Sequence, residues 1–243
     1  MKIIALGDIH GRPVWKSIVE NETFDKIVFI GDYFDSKEGI SGKDQRKNFK
    51  DIIHFKKSHP DKVVLLIGNH DYHYLKYVYQ TYSGFQAFEQ PAIQELLEDA
   101  ISENLLQICY RWENFLFTHA GVTRHWFSVI FEKEFSDKSS LEDTLNDLFK
   151  TKRTAFGFMQ GPMCEPNGDN SYQSPIWVRP YSLSLGMIDG FIQVVGHTIR
   201  PKIMPYQKDA VNGIVEIDTL GTSGEYLVIE NGTIIPTLNR FNL

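Results

Sequence analysis

The chain has 243 residues, 42% hydrophobic, 13% aromatic and 23% charged, so it can bury a sizeable core, reads as one domain over 1–243 and is not a disordered protein. Its formal net charge of -6 argues against general nucleic-acid binding or attachment to an anionic membrane, and no apolar run reaches membrane-spanning length. The first motif begins at Gly7, directly after a strand, which leaves no room for a secretory signal, and Cys109 and Cys164 fit neither a disulfide framework nor a structural zinc site, so the expected setting is a reducing cytoplasm.

In chain order, the apolar run Ile3-Ile4-Ala5-Leu6 predicts a buried strand that ends in Gly7-Asp8-Ile9-His10-Gly11. Pro13 to Asn21 predicts a helix, with proline at a first helical position. Ile27-Val28-Phe29-Ile30 is the next strand and delivers Gly31-Asp32-Tyr33-Phe34-Asp35. Ser36 to Gln45 is polar, carries two glycines and predicts a loop before a helix bearing Phe49, Ile52, Ile53 and Phe55. Val63 to Ile67 is a third strand, running into Gly68-Asn69-His70-Asp71. Helices are expected over Tyr72 to Gln80 and from Glu89 to about Ala100.

Leu105 to Tyr110 and Phe115 to Phe117 then read as adjacent strands around Arg111-Trp112-Glu113-Asn114, the second delivering His119-Ala120-Gly121. Arg124 to Met159 is expected to be mostly helical, and Gly161 to Ser174 a loop. Ile192 to Val195 leads into Gly196-His197-Thr198. Beyond it Gly213 to Asp218, Glu225 to Glu230 and Thr233 to Thr237 read as strands, with Asn231-Gly232 a hairpin turn. An α/β first half followed by hairpins predicts two mixed sheets face to face with helices outside, a four-layer αββα sandwich rather than one doubly wound sheet.

Five strands thus end in polar residues, and in open α/β sheets the functional crevice lies outside such ends. Asp8 and His10 alternate across one residue and face the same side of an extended strand end, so together they can hold one ion. Asp32 has two oxygens and can bridge it to a second, whose set Asn69, His119 and His197 would complete. Nitrogen and oxygen donors without thiolate suit manganese, iron, zinc or cobalt better than calcium. Two such ions generate a nucleophile from water and clamp a transferring phosphoryl group. Each piece alone has a plainer reading: Gly-Asp pairs are common in turns, and Asn69 could simply cap the helix after it. It is the joint occurrence of all five, each after a buried strand, that points to chemistry.

These five pieces together resemble the calcineurin-like metallophosphoesterases, and most of all the bacterial and phage members of their phosphoprotein-phosphatase branch. Ile217-Asp218-Thr219, with Gly221 and Gly224 behind it, resembles that branch's closing segment, and Ile199 stands where other branches often carry a second histidine. The resemblance implies an αββα fold and two divalent metals, manganese first, with iron, zinc, cobalt or nickel as alternatives. It makes Asp8 and His10 ligands of one metal, Asp32 the bridge, and Asn69, His119 and His197 ligands of the other. It also makes His70 the general acid, with Asp35 holding its imidazole, a pairing that can supply a proton near neutral pH.

One departure is Ser36, where the branch usually has arginine. Phosphate dianions favour bidentate guanidinium donors, so Arg179, in the segment Trp177-Val178-Arg179, is the first candidate for substrate binding, Arg12 the second and Arg124 a weaker third. His54, His59, His73 and His125 read as surface or core residues. The expected activity is a serine/threonine protein-phosphatase-like phosphomonoesterase acting on a phosphoprotein or a small phosphoester. The alternatives are a phosphodiesterase or diadenosine-polyphosphate hydrolase and, in another class, a silent protein-binding scaffold, against which the intact His70 and Asp35 argue.

Overall fold

The computed structural model describes residues 1–160 and 168–240. Its first sheet contains β1 (Lys2–Leu6), β2 (Lys26–Phe29), β3 (Val63–Leu66), β4 (Leu106–Gln107), β10 (Glu225–Glu230) and β11 (Thr233–Leu238), in the spatial order β11-β10-β1-β2-β3-β4. The second contains β5 (Cys109–Trp112), β6 (Phe115–Thr118), β7 (Ile192–Val195), β8 (Met204–Gln207) and β9 (Gly213–Glu216), in the order β5-β6-β7-β9-β8. Both sheets are mixed. The β1, β2, β3 and β4 pairs are parallel, as are β6 with β7 and β7 with β9.

Side-chain alternation along the strands decides the layering. Ile3, Ala5, Val28, Ile30, Val64 and Leu66 of the first sheet meet Phe115, Phe117, Ile192, Val194 and Val215 of the second in a dry inter-sheet core. The intervening residues Ile4, Leu6, Ile27, Phe29, Val63 and Leu65 face the other way. They pack on Trp15 and Ile18 of α1 (Trp15–Asn21), Phe49 and Ile52 of α2 (Gly42–Ser58), and Ile93 and Leu97 of α4 (Gln90–Ser102). Each such side chain contributes about 1.5–3 kcal/mol by leaving water. The outer face of the second sheet is covered by α5 (Arg124–Phe131) and α6 (Leu141–Thr151) through Trp126 and Leu145, and by α7 (Pro180–Gly186) through Leu183. This is the expected αββα sandwich of two sheets with helices outside.

Four local expectations need correction. The predicted strand over 105–110 is two strands in different sheets: β4 pairs with β3 and β5 with β6. The chain crosses between the sheets at Ile108, where Asn146 Oδ1 accepts the backbone N–H groups of Ile108 (2.9 Å) and Cys109 (3.1 Å). The helix predicted over 72–80 is confined to α3 (Asn69–Tyr72). Aromatic and β-branched residues there have weak helix propensity, the hydroxyls of Tyr72 and Tyr74 are engaged by the Arg153 carbonyl and Asp35, and Tyr77 takes φ +66°. The loop after Asp35 is shorter than predicted, because Ser41 caps α2 by accepting the Asp44 N–H at 3.1 Å. Finally, α7 and the exposed edge strand β8 were not foreseen, although Pro180 is a helix-start signal. Of the loop expected over 161–174, residues 161–167, including Cys164, lie outside the described residues; Cys109 is buried, as expected.

Strand register gathers the polar loops. Leu6 lies beside Phe29 and Phe29 beside Leu65, while Phe117 lies beside Val194 and Val195 beside Glu216. The segments after these strands therefore leave together at one end of each sheet, and the inter-sheet core brings those ends to one place. Among the described residues no helix is long and apolar enough to cross a membrane.

Candidate metal centre

The first two polar loops are laced by backbone hydrogen bonds. The N–H groups of Ile9, His10 and Gly11 donate to the carbonyls of Gly31, Asp32 and Tyr33 at 3.3, 2.6 and 2.9 Å. The third loop is tied to the second by Asp71, whose carboxylate accepts the N–H groups of Asp32 and Tyr33, both at 2.8 Å, and of Gly68 at 3.0 Å. His10, Asp32, Asp35 and His197 all hold positive φ, between +44° and +64°. For residues with a Cβ this costs roughly 1–3 kcal/mol each; the lacing holds His10 and Asp32 there, and the N–H of His197 on Asp8 holds His197.

Within that frame the predicted donors converge. Ligand atoms of Asp8, Asp32 and His119 lie within 4.8 Å of one another. Asp32 Oδ2 stands 3.8 Å from His10 Nε2 and 3.5 Å from His119 Nε2. Asn69 Oδ1 lies 2.9 Å from His119 Nε2 and 2.8 Å from His197 Nδ1. Asp8 accepts the His197 N–H at 3.1 Å, and Asp32 Oδ1 that of His70 at 2.9 Å.

The chemistry of these donors fits a divalent cation. His10 and His119 place Nδ1 on the carbonyls of Phe34 (2.6 Å) and Ile30 (3.0 Å). Those carbonyls only accept, so each Nδ1 carries the proton and each Nε2 turns a bare lone pair inward. Burial holds both rings down to about 3, and His197 well below its usual range, so all three are neutral. His119 Nε2 therefore meets the amide oxygen of Asn69 lone pair to lone pair, a contact that a cation resolves. Asp8 and Asp32 carry the complementary signal: burial first, then the neighbouring carboxylates Asp218 and Asp8 respectively, pushes both well above the carboxylate range. Negative charge is concentrated here without enough protein cation to balance it.

Beside this set stands a second group. Asp35 Oδ2 receives His70 Nδ1 at 2.9 Å and His73 Nε2 at 2.7 Å, while Oδ1 accepts the Tyr74 hydroxyl at 2.5 Å and Gln86 Nε2 at 3.2 Å. Burial alone would raise this carboxyl, but the donors from His70, His73 and Tyr74 hold it down to about 2. It is a fixed anion on which two imidazoles are mounted. His73 Nδ1 accepts the Tyr82 N–H at 3.3 Å, so its Nε2 carries the proton toward Asp35.

The arginines are divided. Arg179 is half-buried next to His197, with Nη1 at 3.4 Å from Thr198 Oγ1. Arg12 donates Nη1 to the Asp8 carbonyl at 3.0 Å, while its Nε and Nη2 reach Glu38 at 2.8 and 2.7 Å. Arg124 pairs with Asp189 on the exposed surface. Of the four histidines read as surface or core, His54, His59 and His125 are exposed and His73 is buried, 2% exposed, and sits on Asp35. Sequence reasoning missed the His73 contact, although its position three residues after His70 places both on one face of a helical turn. It also gave no role to Asp71 or to Asp218, whose carboxyl lies against Asp8 and is pushed up to about 6 by burial. Nothing in the local sequence around Gln86 signals its contact with Asp35.

A family model for calcineurin-like phosphoesterases matches residues 1–198. Among solved structures, the chain is similar to a cold-active protein-tyrosine phosphatase of the psychrophile Shewanella sp., with a TM-score of 0.64 and 17% identity over 98% of this chain and 77% of that one. It is also similar to a protein serine/threonine phosphatase from Saccharomyces cerevisiae, with a TM-score of 0.56 and 14% identity over 96% and 73% of the two chains. At these identities the likeness is one of fold. A search of curated proteins found no match.

Proposed function

The chain belongs to the calcineurin-like phosphoesterase family of metal-dependent phosphoric ester hydrolases, and on that premise we propose that it is a phosphomonoesterase of the serine/threonine protein-phosphatase type. The observation that carries the proposal is the convergence of six metal donors from five strand ends beside the His70–Asp35 pair. In this reading Asp8 and His10 hold one divalent ion, Asp32 bridges, and Asn69, His119 and His197 hold the other. Manganese is the first choice, with iron, zinc, cobalt and nickel behind it. When bound, the ions supply an activated water and a positive clamp on the phosphoryl oxygens.

The chain's own residues supply orientation and the proton. The backbone N–H of His70 on Asp32 Oδ1 (2.9 Å) fixes the imidazole at the edge of the metal set. With Nδ1–H directed to Asp35 at 2.9 Å, the proton for the departing oxygen comes from Nε2. Arg179, beside Thr198, is placed to take phosphoryl oxygens as the ester docks. The closing strands support one domain over 1–243, since β10 pairs along β1. A reducing cytoplasm accords with the buried free thiol of Cys109.

Phosphodiester hydrolysis is a second reading, favoured by one observation: Arg12, an obvious partner for a dianion, is already engaged by Glu38. The test compares initial rates on p-nitrophenyl phosphate and bis-p-nitrophenyl phosphate after chelation and manganese add-back. Restored preference for the monoester is expected. Preference for the diester would move the substrate to nucleotides, and inactivity on both, with no metal bound, would leave a scaffold.

A further inference from the structure

Three segments meet beside Asp8, at the edge of the proposed metal centre. The turn after the first motif carries Arg12, held by its N–H on the Ile9 carbonyl (2.8 Å) and by Asn48 Nδ2 on its own carbonyl (3.1 Å). The loop after Asp35 carries Glu38, whose N–H donates to Ser36 Oγ at 3.2 Å. The turn beyond β9 carries Gly221, where a Cβ would fall on Arg12 Nη2 and 3.1 Å from Glu38 Oε1. A side chain at 221 would meet the ends of both Arg12 and Glu38, so glycine there leaves the pair its present room.

The pair is lopsided. Arg12 is rooted on a rigid turn, with its side chain 14% exposed, and lies close enough to Asp8, His10 and Asp218 to act on their charge. Glu38 is 45% exposed on a loop. Two of the guanidinium's edges are spoken for, Nε and Nη2 by Glu38 Oε1 and Nη1 by the Asp8 carbonyl. An incoming phosphoryl group offers the same acceptor geometry as a carboxylate, with more charge. It can reach this fork only by displacing Glu38.

We propose that Glu38 is a specificity-determining residue that competes with substrate phosphate for Arg12, weakening the hold on phosphate dianions relative to diester monoanions. The inference rests on the phosphohydrolase reading above. It assigns Glu38 an intrinsic brake on product inhibition: inorganic phosphate, a dianion near neutral pH, must win Arg12 from a tethered carboxylate, so it leaves readily.

The test is Glu38→Gln in the metal-loaded full chain, with inorganic phosphate as the inhibitor probe. Because an ion pair whose carboxylate is open to solvent is weak, release of Arg12 should tighten phosphate inhibition by about two- to fivefold. The kcat/KM ratio of p-nitrophenyl phosphate to bis-p-nitrophenyl phosphate should rise with it. In an Arg12→Gln background the same change at Glu38 should have a clearly smaller effect, since only the repulsion between Glu38 and phosphate is then removed. An unchanged inhibition constant and ratio in Glu38→Gln would overturn the proposal. So would an equal gain in both backgrounds, which would make Glu38 a bystander charge. Should Arg12→Gln fail to fold, the ratio measured in Glu38→Gln alone decides. Failure of the broader reading is separately visible, as absence of metal-dependent activity in the unmodified chain.

Discussion

Asp35 illustrates how one residue's environment assigns the role of another. His70, His73 and Tyr74 face its two oxygens and hold it down to about 2 despite burial, so His70 always faces an anion on its Nδ1 side. The ring is thereby held with Nδ1 protonated, and any proton exchange with substrate passes through Nε2. The consequence is selective. Esters whose leaving oxygen is a poor anion need that proton in the transition state, whereas p-nitrophenolate departs without it. His70→Ala should therefore slow hydrolysis of alkyl phosphates by about 10²–10⁴-fold and of p-nitrophenyl phosphate by far less. Equal losses on the two substrates, measured as kcat/KM, would remove His70 from the acid role and leave its imidazole a positioning group held on Asp35.

At the scale of elements, the centre is assembled by loops that approach closer than side chains allow. A Cβ on Gly68 would land on Asp32 Oδ1, and one on Gly196 on Asp8 Oδ1. Gly196→Ala must push the Asp8 carboxylate away from the His197 N–H it now accepts, at a strain of about 1–3 kcal/mol. The expected outcome is a fold that persists by circular dichroism while manganese affinity, read by titration calorimetry, drops about tenfold or more; unchanged affinity would mean that the loop yields without disturbing Asp8. Such positions explain why the centre was legible in the sequence. Buried strands that end in short polar motifs, Gly-Asp, Gly-Asn, Thr118-His119 and Gly196-His197, are local patterns and single out the six candidate donors, while the change from an α/β half to hairpins signals the two-sheet sandwich. The crossing at Ile108 was hidden because its hydrogen-bond partner, Asn146, lies 38 residues further on, in α6. The failure over 72–80 has a similar origin, since apolar spacing there suggested a helix while the tyrosine hydroxyls were committed to Arg153 and Asp35. The Arg12–Glu38 pair and the Gln86 contact join segments far apart in the chain, and no period or motif announces either.

Taken whole, the molecule concentrates buried negative charge at one end of its sheets, and this couples metal, pH and stability. Asp71 is raised to about 7 by burial, Asp218 to about 6, and Asp8 and Asp32 well above the carboxylate range. A carboxyl raised on folding stabilises the folded chain below its unfolded value near 3.8–3.9 and loses that contribution as pH rises through the folded value. The buried histidines have the opposite sign. His10 and His119, lowered to about 3, contribute stability that is present above the ordinary imidazole value near 6.5 and lost as pH falls below it. The two effects oppose each other in mild acid, but above about 6.5 the imidazole contribution is flat while Asp71 goes on losing its own, and Asp8 and Asp32, raised in the same direction by burial, must be ionised to hold metal. Divalent cations bind the ionised carboxylates and neutral imidazoles, so they restore most where the metal-free chain is weakest. At a hundredfold excess over Kd, a single such ion adds about 2.7 kcal/mol, or roughly 5–10 °C in Tm for a chain of this size. Thermal melts of chelated and manganese-loaded protein should therefore separate by more at pH 8 than at pH 6.5, chiefly through a falling Tm of the chelated form. A separation that stayed constant or narrowed over that range would show that the carboxylate cluster is already balanced within the protein, and that the metal is not what its charge is built to receive.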